Sequence, residues 1–225
     1  MSSKELIRVL SDEQLRERLT TDEKDRKIYV VPMVDIRRQV NHGSLDLRLG
    51  TDFITTRRTR FSVIDPAENF KDFQSKIVDY QERIYIDVGN KLILHPNQLV
   101  LGSTLEYLRL PPDLAGYVSG RSSWGRLGLV IATATYVQPA YTGVVTLEIV
   151  NLGDTPIALY PGVRIAQLVF HPATPNEGDN VPFRTKYSLS TRPSFSRIHD
   201  DPEWKAIIRL QVARRKTKVF SSARV

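Results

Sequence analysis

The 225-residue chain has no cysteine. That excludes disulfide staples and thiolate metal sites, so stability has to come from an ordinary core. Histidine is scarce: His42, His95, His171 and His199 stand far apart, with no H-E-x-x-H or similar spacing to ligate a metal. No apolar run approaches the ~18 residues needed to cross a membrane. Met1-Ser-Ser-Lys-Glu leads into an amphipathic segment rather than an apolar leader. These absences lead us to expect a cytoplasmic protein with no membrane partner. What is present is a hydrophobic content of 41%, enough for one large domain or a domain with extensions. A net charge of +7 favours an anionic partner, either a polyphosphate or a nucleic acid. Much of the excess sits at the end, in Arg209, Arg214, Arg215, Lys216, Lys218 and Arg224, where a solvated basic helix is the simplest reading.

Ser11 stands three residues before Gln14 in a capping-box pattern, and Leu15 and Leu19 follow at helical spacing, predicting a short helix over 10–19. Lys27 to Val34 is β-rich but holds Pro32, which suggests an edge strand or a bend. Gly43 to Gly50, GSLDLRLG, sets Leu45, Leu47 and Leu49 against Asp46 and Arg48, predicting a half-buried structural strand closed by Gly50. A basic strand is expected over Phe53 to Phe61. Residues 62–83 read as an insertion or loop, within an insertion placed near 55–90. From Leu92 to Leu110, short strands are punctuated by His95-Pro96-Asn97 and then by Pro111-Pro112-Asp113. Many short strands between Gly/Pro turns mean a mainly β barrel or sandwich, not a doubly wound sheet. After Phe170 the pattern loosens into a Pro/Asn/Gly loop and a polar, basic, lid-like segment over 183–200. A final helix is expected over 202–215, near Pro202. The expected plan is a single β domain over 1–200 and a basic helical extension over 201–225.

The stretch from Val118 to Phe170 carries the chemistry. In Thr142 to Asn151, TGVVTLEIVN, one face holds Val144, Thr146, Glu148 and Val150 and the other Val145, Leu147 and Ile149. A glutamate inside an apolar β-run is costly to bury unless it is paired or used. Glu148 therefore reads either as a general base or as half of an ion pair with Arg126 or another arginine. Gly120-Arg121-Ser122-Ser123 gathers hydroxyls, backbone N–H groups and a guanidinium in one turn. That suits phosphate oxygens, and equally suits a serine-capped turn with a surface arginine.

GRSSWGRLGL, Pro139-x-Tyr141-x-Gly143, TLEIVN, LYPGVRIAQLVF and GSLDLRLG, in this order and spacing apart from the upstream GSLDLRLG, resemble the deoxycytidine triphosphate (dCTP) deaminases. The likeness covers most of residues 5–200. That family shares its fold with the trimeric deoxyuridine triphosphatases, which implies a dUTPase-like distorted β-barrel or jelly-roll and a homotrimer with active sites between subunits. The implied reaction is hydrolysis of dCTP to dUTP and ammonia without zinc, with Mg2+ bound only alongside the triphosphate. The implied catalytic group is Glu148, with the Ser122 hydroxyl and the main-chain carbonyl of Ala134 orienting the water and Arg126 countering charge. Substrate would be held by Arg121, Ser123, Gln138, Tyr141, Gln167, Lys186 and Tyr187. Of these, Tyr141 would face the deoxyribose, and Lys186 and Tyr187 would close on the triphosphate. Nucleic acid is not the expected partner.

Two departures stand out. Where the family writes Asp-Pro, this chain has Gln138-Pro139; glutamine cannot accept a proton, so diphosphohydrolase activity is not expected. The segment LVIAT between Gly128 and Ala134 is one residue shorter than in the enterobacterial-type deaminases and lacks their following histidine, so feedback by thymidine triphosphate is not assumed. The alternatives are a deoxyuridine triphosphatase or bifunctional enzyme, which Gln138 disfavours, and a non-catalytic nucleotide-binding protein on the same scaffold.

Overall fold

The computed structural model describes residues 8–57, 59–68, 70–132, 136–174 and 186–222. The chain divides into two compact units, one of residues 1–55 with 83–194 and the other of residues 56–82 with 195–225.

The first unit opens with α1 (Asp12–Thr20), whose capping box is formed as its sequence predicts: Gln14 N–H donates to Ser11 Oγ, and Ser11 N–H to the Gln14 side chain. Leu15 and Leu19 are the buried side of this helix. Strand β1 (Tyr29–Val31) ends at a cis Val31–Pro32 bond, and α2 (Ile36–Gln39) is capped by Asp35. Then come β2 (Val40–Asn41) and β3 (Ser44–Thr56). After α3 (Phe70–Tyr80), which belongs to the second unit, come β4 (Gln81–Tyr85), β5 (Leu92–Leu94), β6 (Leu99–Arg109) and β7 (Leu114–Gly120). The short α4 (Ser122–Gly125) leads to β8 (Leu129–Ile131), β9 (Tyr136–Val137), β10 (Thr142–Asn151), β11 (Ile157–Leu159) and β12 (Arg164–Pro172). The main sheet runs β8-β10-β6-β3-β12-β7-β9 with every neighbour antiparallel, and β11 pairs with β5 in a second sheet. The mainly β class expected from the strand spacing is what forms.

Leu45, Leu47 and Leu49 of β3, Leu147 and Ile149 of β10 and Leu168 and Phe170 of β12 have no exposed surface and belong to one cluster. Each such side chain contributes about 1.5–3 kcal/mol by leaving water. Gly50 does not close β3; the strand runs on to Thr56. The glycine is needed for close approach, since a Cβ there would lie 2.9 Å from Ser103 Oγ and 3.1 Å from Ser103 O. The register between β3 and β6 shifts across it, between Leu49 and Phe53. The basic strand expected to Phe61 stops at Thr56.

In the second unit, residues expected to form a loop contain α3, which buries Phe73 and Ile77 one turn apart. His199 stacks on Phe73 with ring centroids 5.4 Å apart, and its Nδ1 lies 2.9 Å from the Pro66 carbonyl. The final helix, α5 (Pro202–Ser222), extends past the expected end at residue 215.

Candidate active site

Two groups of residues are assembled by the first unit. The first is a cleft of about 540 Å³ lined by Arg38, Arg48, Arg121, Ser123, Trp124, Leu127, Gly162, Val163 and Arg164. Its wall begins where β7 ends: Arg121 N–H donates to Ile165 O of β12, and α4 starts one residue later. Trp124 Nε1–H donates to Arg164 O at 3.0 Å, tying α4 to β12. Beneath the arginines lie two buried carboxylates. Asp46 of β3 receives Arg164 Nη1 at 2.9 Å on Oδ2, and Arg121 Nε at 3.5 Å faces Oδ1. Glu106 of β6 accepts from Arg48 N–H at 2.8 Å, Arg48 Nη1 at 3.2 Å and Gln39 Nε2 at 3.1 Å. Burial pushes the Glu106 carboxyl above the usual range, and the Arg48 contacts oppose that.

The second group lies along β10. Glu148 pairs in register with Leu101 of β6 and is partly exposed, while its neighbours Leu147 and Ile149 are fully buried. Desolvation raises its carboxyl above the ordinary value. The β10 edge beside it is occupied from two directions. Ile149 pairs with Ile131 of β8, and Ala132 N–H donates to the Glu148 carbonyl at 2.8 Å. At the other end Val144 N–H donates to Ser190 O at 2.8 Å, and Leu189 N–H to Thr142 O at 2.7 Å. The segment carrying Lys186 and Tyr187 thus packs alongside the first half of β10. Arg83 Nη1 holds it through Pro193 O at 2.9 Å, and Arg192 Nε approaches Asp52 at 3.4 Å.

The turn into β10 carries Gln138 and Tyr141. Tyr141 N–H donates to Gln138 O, and the Tyr141 hydroxyl donates to Val144 O at 2.7 Å. Burial of that ring pushes the phenol up to about 12. Gln138 is half-buried, and its Nε2 is buried without a hydrogen-bond partner among the described residues.

The cleft therefore brings together Arg121 and Ser123 of the predicted site residues, and its lining does not include Glu148, Gln138, Tyr141, Lys186 or Tyr187. Ser122 and Arg126 are exposed at the two ends of α4. Gln167 lies in register with Asp46 on one side and Ser119 on the other. Ala134 lies outside the described residues. Among the described residues, no group of three or more His, Asp or Glu is placed to hold a metal ion. No helix there is long and apolar enough to cross a membrane.

A profile for dCTP deaminase-like proteins matches residues 9–173, most of the chain. The chain belongs to the dCTP deaminase family. A dCTP deaminase of Natronomonas pharaonis is 41% identical over 199 residues, 87% of this chain and 97% of that protein. A dCTP deaminase, dUMP-forming, of Methanobrevibacter smithii is 39% identical over 204 residues, 88% of this chain and 98% of that one. Among solved structures, the 2'-deoxycytidine 5'-triphosphate deaminase of Agrobacterium tumefaciens superposes with a TM-score of 0.54 at 25% identity, over 73% of this chain and 46% of that chain. This chain thus spans about half of that longer protein.

For a family member, the cleft adds residues that the motifs did not single out. Asp46 was expected on the polar side of a half-buried strand, yet it is only 2% exposed. The β3 face opposite the leucines is covered by the guanidiniums of Arg121 and Arg164. The only signal in the sequence was an acid and two arginines lying in three separate motifs. Period-two alternation reports a face but not what lies above it.

Proposed function

We propose that this chain hydrolyses dCTP to dUTP and ammonia, with Glu148 moving the protons. The observation that carries this reading is a partly buried carboxylate, raised by desolvation, on β10 of a dCTP deaminase family member. A raised carboxyl is the acid–base group such a reaction needs near neutral pH. Glu148 takes a proton from the water whose oxygen bonds to C4, and delivers it to N3. It then moves the second proton from the new hydroxyl to the amine. The C4–N bond breaks, ammonia leaves and the uracil carbonyl forms. The Ser122 hydroxyl and the Ala134 carbonyl orient the water, and Arg126 counters charge at the ring. Arg121, Ser123, Gln167, Lys186 and Tyr187 take the triphosphate, which brings its own Mg2+, and Tyr141 faces the deoxyribose.

The separate lining of the anion cleft and the Glu148 group supports a site completed between subunits of a homotrimer. The relatives at about 40% identity include both dCTP deaminases and dUMP-forming ones. Gln138 favours dUTP, because an amide cannot deprotonate the water that would attack phosphorus. Its buried Nε2, without a partner among the described residues, suits a hydrogen bond to a sugar or phosphate oxygen. The test is ammonia release from dCTP in excess Mg2+, before and after transition metals are removed with a chelator selective against them. Release that persists with chelator, and disappears in Glu148→Gln, supports the reading. Release that depends on a transition metal refutes it.

A further inference from the structure

We infer that Arg164 is a phosphate-binding residue, held by Asp46 as the second guanidinium of a pair with Arg121. This deepens the proposed function and rests on reading the arginine cleft as the triphosphate subsite.

The cleft lining holds four arginines and no carboxylate. Arg48 has its own buried acid, Glu106, but Arg121 and Arg164 share one, Asp46. One carboxylate between two guanidiniums leaves a full positive charge uncompensated at the cleft wall. Asp46 is 3% exposed in its side chain, so the shared acid is fixed from behind while the two arginines keep 29% and 37% of their side-chain surface open. Arg164 uses Nη1 for both of its side-chain hydrogen bonds, to Asp46 Oδ2 at 2.9 Å and to Arg38 O at 3.0 Å. Its Nε and Nη2 have no protein partner among the described residues. Arg121 likewise engages Asp46 through Nε alone. Two forks pinned at one edge and open at the other form a ready seat for phosphate oxygens, because planar guanidiniums bind phosphate bidentately and lose little freedom on binding when held in advance. Asp46 touches no substrate in this account; it is a positioning residue for both arginines.

Trp124 supplies a direct readout, since it lines the cleft and donates to the Arg164 carbonyl. The chain has two tryptophans, so Trp204→Phe leaves Trp124 as the sole reporter. In that background, inorganic tripolyphosphate is titrated by fluorescence and steady-state constants are measured with dCTP. Arg164→Gln is expected to weaken tripolyphosphate binding and raise KM for dCTP about tenfold or more, the scale of one lost charge-assisted contact. The expected change in kcat is under about twofold, and binding of deoxycytidine, which has no phosphate, is unchanged. Arg164→Lys keeps the charge and loses the fork, for a loss of about threefold. Asp46→Asn is expected to weaken tripolyphosphate binding in the same way and leave deoxycytidine unaffected. Unchanged tripolyphosphate affinity in Arg164→Gln, with weakened affinity in Arg121→Gln, overturns the role of Arg164 and leaves the cleft as the triphosphate subsite. Unchanged affinity in both variants overturns the subsite reading itself. Equal losses for deoxycytidine and tripolyphosphate mark Arg164 as merely structural and overturn the inference. If Arg164→Gln does not fold, Arg164→Lys decides, and wild-type affinity in it counts against the proposal.

Discussion

Asn151, the last residue of β10, is fully buried. Its Nδ2 donates to Leu94 O at 3.0 Å and Thr155 O at 2.9 Å, while its Oδ1 accepts from Gly153 N–H at 2.9 Å. One amide thus joins the end of β5, the turn into β11 and the backbone at Gly153. That backbone in turn abuts the loop following α4: Leu152 N–H donates to Gly128 O at 2.8 Å, and a Cβ on Gly128 would lie 2.7 Å from Gly153 N. Replacing Asn151 by leucine leaves two carbonyls and one N–H without partners. At about 1–3 kcal/mol for each buried orphan, and with water reaching part of the turn, the expected loss is about 3–5 kcal/mol. That is a large share of the about 5–15 kcal/mol typical of a domain. Asn151→Asp is the sharper test. It keeps the bond from Gly153 but points a carboxylate oxygen at two carbonyls, so its folded pKa must rise above the unfolded value. The native state then favours the protonated acid. Stability is retained below the ordinary carboxylate range and lost as pH rises through the folded pKa. Urea unfolding at about pH 3.5 and about pH 8, one below and one well above the ordinary aspartate value of about 3.9, reads the difference. The Asp variant should weaken steeply toward pH 8 while wild type does not follow it. A variant as stable as wild type at pH 8 would refute the argument.

Gly143 has φ of +146°, and a Cβ there would lie 3.2 Å from both Ser190 O and Tyr141 Oη. Gly143→Ala should cost about 1–3 kcal/mol and loosen residues 186–194, seen as faster limited proteolysis of that segment. Glu148→Gln should lower turnover by about 10²–10⁴-fold if the carboxylate moves the protons. Because desolvation raises the Glu148 carboxyl, its favourable term is present at acid pH and fades as pH rises through the folded value. The Gln variant should therefore gain stability relative to wild type with rising pH, measured by thermal melts across that range. Gln138→Asp restores a proton acceptor to the turn before β10 and should create or raise pyrophosphate release from dUTP. No change would discard the argument from Gln138.

Local signals were legible where one short interaction decides the structure. Ser11 and Gln14 wrote the capping box of α1, and Leu147 and Ile149 wrote the buried face of β10. Alternation failed earlier on the same strand, where Val144 and Val145 are both buried, because the register with β6 shifts between Val144 and Thr146. Helix α3 was hidden by its charges although Phe73 and Ile77 already stood at helical spacing. The candidate site was legible as motifs but not as an arrangement. Arg121 and Ser123 were singled out, while Asp46, Arg48 and Arg164, which shape the same cleft, were not. Their association depends on β3 and β12 lying side by side, a pairing that couples residues more than a hundred positions apart and leaves no local trace.

The most direct test is product analysis. Purified protein is incubated with Mg2+ and dCTP, in parallel with Glu148→Gln, and the nucleotides are resolved by ion-exchange chromatography. The account predicts dUTP accumulating in step with ammonia for the wild type, with no dUMP and with almost no product from Glu148→Gln. Turnover by Glu148→Gln at the wild-type rate would contradict the role of this carboxylate, and dUMP with pyrophosphate from the wild type would contradict the reading of Gln138.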